Sequence, residues 1–166
     1  MILPAPLLRL VLDTNVLLAG LVSRTSASQR IVDALTIRRA IPLISPPVLA
    51  EYRAVLLHPE ILARFPGLTP RRVELALHRL RYIADEYRTV RVKFEFERDP
   101  RDAMFVELAI TGSATHIVTL DSDLLSLPTA RTDAGKRFRQ RLPQILVLEP
   151  GPLVEQYGAA LGTPLA

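Results

Sequence analysis

Cysteine is absent from the 166 residues, which removes disulfides, thiolate zinc sites and cysteine nucleophiles together and suits a reducing compartment. Histidine is scarce, and His58, His78 and His116 are scattered without forming a ligand pair. No apolar run approaches the roughly 20 residues that span a bilayer. The N-terminal stretch MILPAPLLRLVLD is far shorter and lacks a basic leading region and a cleavage-site pattern, so a cytoplasmic protein with no membrane partner is expected. Internal repeats and low-complexity tracts are missing as well. Lysine is rare: 19 of the 21 basic residues are arginine, and against 17 acids they leave a net charge of +4. If the acids gather at one place, the remaining surface is more basic than that figure and favours a polyanionic partner.

The length fits one ordinary domain, 1–166, which on folding would bury roughly 70% of the surface its unfolded chain exposes. Residues 7–12 (LLRLVL) read as a buried strand stopped by Asp13-Thr14-Asn15, with a helix from about Val16 and another over 27–39. A second strand is expected over 41–45, where Pro42 can sit only at the start or on an edge. Pro46-Pro47 opens a helix to about Leu57, because the missing amide hydrogens cost little in a first turn. Helical spacing predicts a long helix from Thr69 or Pro70 to Glu86, and alternation predicts a third strand over Thr89–Phe96. Asp99-Pro100 starts a helix to about Thr111. Strands follow over Ala114–Leu120 and Gln144–Leu148, then a last helix near Leu153–Leu161. The segment 128–143 (PTARTDAGKRFRQRLP) reads as a basic surface loop or short insertion. Strands alternating with helices imply an α/β fold with a parallel sheet covered on both faces, and ligands in such sheets bind beyond the carboxyl ends of the strands.

Four acids occupy positions that structure alone explains poorly. Asp13 and Asp121 follow strand-like runs, and Glu51 borders the buried stripe of Val48, Tyr52 and Val55. Asp102 has Phe105, Val106 and Ala109 on its own helical face. Each has a bland alternative: a helix cap for Asp13 and Asp121, an edge charge paired with Arg53 for Glu51, a first-turn acid complementing the helix dipole for Asp102. Jointly those alternatives weaken, since four carboxylates would have to reach one end of one sheet for unrelated reasons. Two carboxylates ~4 Å apart repel by about 4 kcal/mol at an effective dielectric near 20, so such a group needs a cation, shared protons or basic neighbours. Oxygen-only ligation points to Mg²⁺ or Mn²⁺ and therefore to phosphoryl chemistry. Asn15 and Thr119, each two residues from an acid, are candidates for orienting carboxylates or water.

These residues, in this order, resemble the PIN-domain ribonucleases, and more narrowly the bacterial PIN proteins that act as toxins of toxin-antitoxin pairs. The resemblance runs through VLDTNVLLAG (Asp13, Asn15), SPPVLAEY (Glu51), DPRDAMFVELAITGSA (Asp102) and HIVTLDSDLL (Thr119, Asp121), with Asp123 as an auxiliary acid, and extends from Leu7 to about Tyr157. Two departures stand out: Leu120 occupies a position where glycine or a polar residue is frequent, and 128–143 is longer than the usual link to the last strand. The resemblance implies a three-layer α/β/α domain with about five parallel strands and a metal-dependent endoribonuclease. In it Asp13, Glu51, Asp102 and Asp121, with Asp123, would hold one or two Mg²⁺ or Mn²⁺. It further implies an RNA substrate, a homodimer and a small antitoxin partner. Arg24, Arg101, Lys136, Arg137, Arg139 and Arg141 are the candidate phosphate contacts. A PIN-like module that binds RNA or protein with little catalysis is the alternative. A haloacid-dehalogenase-type phosphatase is disfavoured because Asn15 stands where it needs a second aspartate, and a receiver domain because Glu149-Pro150 follows the last strand where it needs lysine.

Overall fold

The computed structural model describes residues 7–162, so the reading of residues 1–6 lies outside it. Among the described residues five parallel strands form one sheet: β1 (Leu8–Leu12), β2 (Ala40–Ile44), β3 (Asp85–Glu86), β4 (His116–Val118) and β5 (Leu146–Leu148). Their spatial order is β3-β2-β1-β4-β5. The chain builds outward from β1 through β2 to β3, then returns to the other side of β1 for β4 and β5. That reversal opens a crevice beyond the ends of β1 and β4.

Period-2 alternation divides the core. Leu8, Leu10 and Leu12 of β1 face one layer with α1 (Thr14–Val22), α2 (Ala27–Thr36) and α9 (Pro150–Leu161). Val11 faces the other, with α3 (Pro46–Leu56), α5 (Pro70–Ile83), α6 (Ala103–Thr111), α7 (Ser122–Ser126) and α8 (Asp133–Arg141). A short α4 (Pro59–Arg64), capped by His58, links α3 to α5. The helix starts follow simple chemistry: Asp13, Ser26 and Thr69 accept amide hydrogens as side-chain caps of α1, α2 and α5, and Pro46-Pro47 opens α3.

Three expectations are corrected. Thr89–Phe96 forms no strand. Its alternation is real, since Phe94 and Phe96 are buried, but side chains rather than a neighbouring strand pair with three of its backbone groups. The Phe94 amide donates to Glu107 Oε1 at 3.0 Å, and Arg141 and Arg137 donate to the carbonyls of Lys93 and Glu95. The sheet edge is instead Asp85–Glu86, because α5 stops at Ile83, ahead of the expected Glu86; Ala84 is extended, and Arg9 and Arg81 pair with Asp85 and Glu86 at 2.7 and 3.1 Å. The third correction concerns 128–143, which contains helix α8. Phe138 is 1% exposed and stacks edge-to-face on Phe94, and a Cβ at Gly135 would collide with the Ala130 carbonyl. The arginines that suggest a solvated loop are the polar face of an amphipathic helix. Pro42 is third in β2, yet β3 pairs only from Leu43 onward, so the strand is still an edge at the proline.

Candidate functional site

β1 and β4 are paired to their last residues, Leu12 beside Val118, and the Asp13 amide donates to the Val118 carbonyl at 2.9 Å. Asp13 and the Thr119–Asp121 turn therefore leave the sheet side by side. Thr119, wholly buried, joins them: its hydroxyl donates to Asp13 Oδ2 and accepts the Asp121 amide hydrogen at 2.9 Å. Asp13 is 3% exposed and also accepts from the amides of Val16 (2.8 Å, Oδ1) and Leu120 (3.0 Å, Oδ2). Asp121 uses Oδ1 to cap α7 through the amides of Asp123 and Leu124. The bland reading of both residues as caps is thus correct and incomplete, because each retains unused acceptor capacity.

Glu51 arrives from α3 and Asp102 from the start of α6. Together with Asp13, Asp121 and Asp99 they line one pocket of about 230 Å³, whose walls include Thr14, Asn15, Val55, Arg101 and Phe105. Asp102 stands at the N-cap position of α6 but makes no capping hydrogen bond, and its turn is held by Asp99, which accepts the Arg101 amide at 3.0 Å. Its carboxyl is pushed up to about 7, chiefly by burial, then by the charges of Asp99, Asp121, Asp13 and Glu51. Among the described residues no basic side chain forms an ion pair with Asp13, Glu51, Asp102 or Asp121, and the carboxylates of Glu51 and Asp102 accept no hydrogen bond from protein. Thr14 Oγ1, in the same wall, is buried without a hydrogen-bond partner among the described residues.

Among the described residues, no three acidic or histidine side chains converge closely enough to hold an ion in the conformation described. The donor chemistry nonetheless fits a hard divalent cation. All the donors are oxygens, the carboxylates of Glu51 and Asp102 accept no hydrogen bond from described residues, and a cation would offset both the burial and the neighbouring negative charge that raise Asp102.

The other candidates divide. Asn15 and Arg101 line the pocket. Asp123 does not; it pairs with Arg98 at 3.3 Å. Arg24 belongs to a different cavity of about 300 Å³ with Arg30 and Val154. Lys136 pairs with Asp133, while Arg137, Arg139 and Arg141 donate to backbone carbonyls, so the α8 bases brace the 88–96 segment and the 128–130 turn. The sequence marks Asp99 only as the start of a helix and does not single out Thr14 or Arg98. The spacing Asp99-Pro100-Arg101-Asp102 was the available signal for Asp99; Arg98 had none, because its partner is fixed only by the fold.

A parallel α/β domain with a carboxylate-lined pocket at its topological switch point defines a class of proteins suited to cation-assisted chemistry on phosphate esters. Residues 9–123 match the family model for the PIN domain, and the chain belongs to that family, whose members are generally nucleases that use divalent metal ions. The match ends at Asp123, so α8, β5 and α9 lie beyond it. No curated protein and no solved structure matches the chain. No described helix is long and apolar enough to cross a membrane.

Proposed function

We propose that this PIN-domain protein is a Mg²⁺- or Mn²⁺-dependent endoribonuclease, the toxin of a toxin-antitoxin pair. The observation that carries the reading is the single pocket lined by Asp13, Glu51, Asp102 and Asp121, with the Asp102 carboxyl driven up to about 7 by burial and its acidic neighbours. Those four residues would hold the ion. When bound, it would neutralise phosphate charge, lower the pKa of a water and stabilise the leaving oxygen. Thr119 orients Asp13 and Asp121, and Asn15 presents an amide at the rim. Arg101, exposed beside Asp102, is the base best located to meet a backbone phosphate. Asp123 pairs with Arg98 and does not line the pocket, so it is left out of the ligand set.

The toxin role, the homodimer and the small antitoxin that would cover the pocket rest on the resemblance of the four motif blocks, and the cytoplasmic location on the cysteine-free composition. The alternative, an RNA- or protein-binding PIN-like module with little catalysis, has one observation in its favour: no three carboxylates converge among the described residues. Incubating purified protein with a pool of labelled structured RNAs in Mn²⁺, in Mg²⁺ and in EDTA separates the two. The nuclease gives metal-dependent cuts with 5′-phosphate and 3′-hydroxyl ends. The binding module gives metal-independent, salt-sensitive retention without cuts.

A further inference from the structure

Tyr52 follows Glu51 on α3 and is 2% exposed, and its hydroxyl donates to the Leu12 carbonyl at 2.6 Å. The place of that bond is informative. β1 stays in register with β4 as far as Leu12, but its register with β2 runs only from Leu8 to Leu10. The Asp13 amide points toward β4, so the alternation of an extended chain turns the preceding carbonyl toward β2, where the ladder has ended. A buried carbonyl without a donor is costly, and Tyr52 supplies the donor that β2 does not.

The consequence reaches the pocket. Leu12 immediately precedes Asp13, and Tyr52 immediately follows Glu51, so one buried hydrogen bond ties together the backbones carrying two acids of the site. Little else does. The Glu51 side chain accepts no hydrogen bond from described residues, and Ser45 at the start of α3 makes no side-chain capping bond. We propose that Tyr52 is a positioning residue whose hydroxyl, bonded to the Leu12 carbonyl, sets the placement of Glu51 relative to Asp13 and thereby the affinity of the pocket for a divalent cation. This rests on the reading of the pocket as a metal site. Burial and the nearby Asp13 charge both raise the phenol pKa, so the hydroxyl keeps its proton and remains a donor throughout the working range. The ring alone would fill the core as phenylalanine does; the hydroxyl is the part a purely packing role leaves unexplained.

The test compares full-length wild type, Tyr52→Phe and Val73→Ala, the last a core change on α5 that does not line the pocket. Free Mn²⁺ measured by electron paramagnetic resonance gives the dissociation constant without reference to activity, and cleavage against Mn²⁺ concentration gives the half-activating level. Tyr52→Phe is expected to stay folded and lose about tenfold in Mn²⁺ affinity, with the half-activating concentration rising in step and the rate recovering at saturation. Val73→Ala should lower the melting temperature and move neither constant. A Tyr52→Phe affinity within about twofold of wild type would overturn the proposal, given the 10–100-fold losses typical of groups that support ligands. If Tyr52→Phe fails to fold, ring-labelled tyrosine in the wild type gives the answer: Tyr52 resonances should titrate with Mg²⁺ at the midpoint of binding, and their indifference would refute the link. Mn²⁺ binding without RNA cleavage would sink the nuclease reading and leave the Tyr52 comparison decisive. A wild type that binds no Mn²⁺ would sink both.

Discussion

Replacing Asp102 by asparagine in metal-free protein should stabilise the fold above pH 7 and leave it nearly unchanged at pH 4. Asp102 sits at an ordinary aspartate value of 3.8 in the unfolded chain and at about 7 in the folded protein, raised first by burial and then by Asp99, Asp121, Asp13 and Glu51. A folded value above the unfolded one means that the native state holds the proton longer. Its stability therefore falls as pH rises from about 4 to about 7 and is level beyond. At 1.36 kcal/mol per pKa unit the full displacement is about 4 kcal/mol. Asp102 is only half-buried, and solvent screening reduces the expected cost to about 1–2 kcal/mol. Asparagine keeps the shape and removes the charge, so the variant should escape that cost. Urea unfolding of both proteins in EDTA from pH 4 to pH 8 measures it. Parallel curves, with no growing advantage for Asp102→Asn between pH 4 and pH 7, would refute the claim that the acids crowd one another.

Other outcomes follow from the same geometry. Saturating Mn²⁺ at pH 8 should stabilise wild type by about 2.7 kcal/mol at 100 times the dissociation constant and leave Asp13→Asn and Glu51→Gln almost unmoved, as read by chemical unfolding. Thr119→Val removes a buried hydroxyl that donates to Asp13 and accepts from Asp121, and should cost about 1–3 kcal/mol of stability and at least tenfold in Mn²⁺ affinity, measured by unfolding and calorimetry. Phe138→Ala should destabilise by about 3–5 kcal/mol, an outcome incompatible with 128–143 being a dispensable surface loop. Asp123→Asn breaks an exposed pair with Arg98 and should change stability by less than about 1 kcal/mol. Metal affinity should be kept, since Asp123 lies outside the pocket; calorimetry checks this.

Much of this was legible because the signals were local. β1 and β2 announce themselves as short apolar runs, and Asp13 and Asp121 stand where polar triplets end such runs, so the parallel sheet and the end carrying the site follow from pattern alone. Asp102 could be placed because an acid heading a buried helical face is unusual. What misled was the identity of partners. Phe94 and Phe96 alternate as a strand would, but their segment hydrogen-bonds to Glu107, Arg137 and Arg141, which no period reveals. Tyr87 continues the spacing of α5, yet the chain had already turned extended at Ala84 to edge the sheet. The α8 arginines looked like nucleic-acid contacts because composition does not distinguish a side chain aimed at phosphate from one spent on a carbonyl. Arg98 and Tyr52 act across the fold, one through Asp123 and the other through Leu12, at separations where sequence carries no trace.

The central claim is that Asp13, Glu51, Asp102 and Asp121 act as one metal-dependent site on RNA. The most direct measurement is the single-turnover cleavage rate of the best-cut RNA from the labelled pool at saturating Mn²⁺, for wild type and for Asp13→Asn, Glu51→Gln, Asp102→Asn and Asp121→Asn, each shown to be folded. Wild type is expected to cut in a metal-dependent way, with cutting abolished by EDTA and reduced by at least about 100-fold in every variant, the scale expected when a charge-stabilising group is removed. Wild-type rates in the Asp13→Asn and Asp102→Asn variants would contradict that claim.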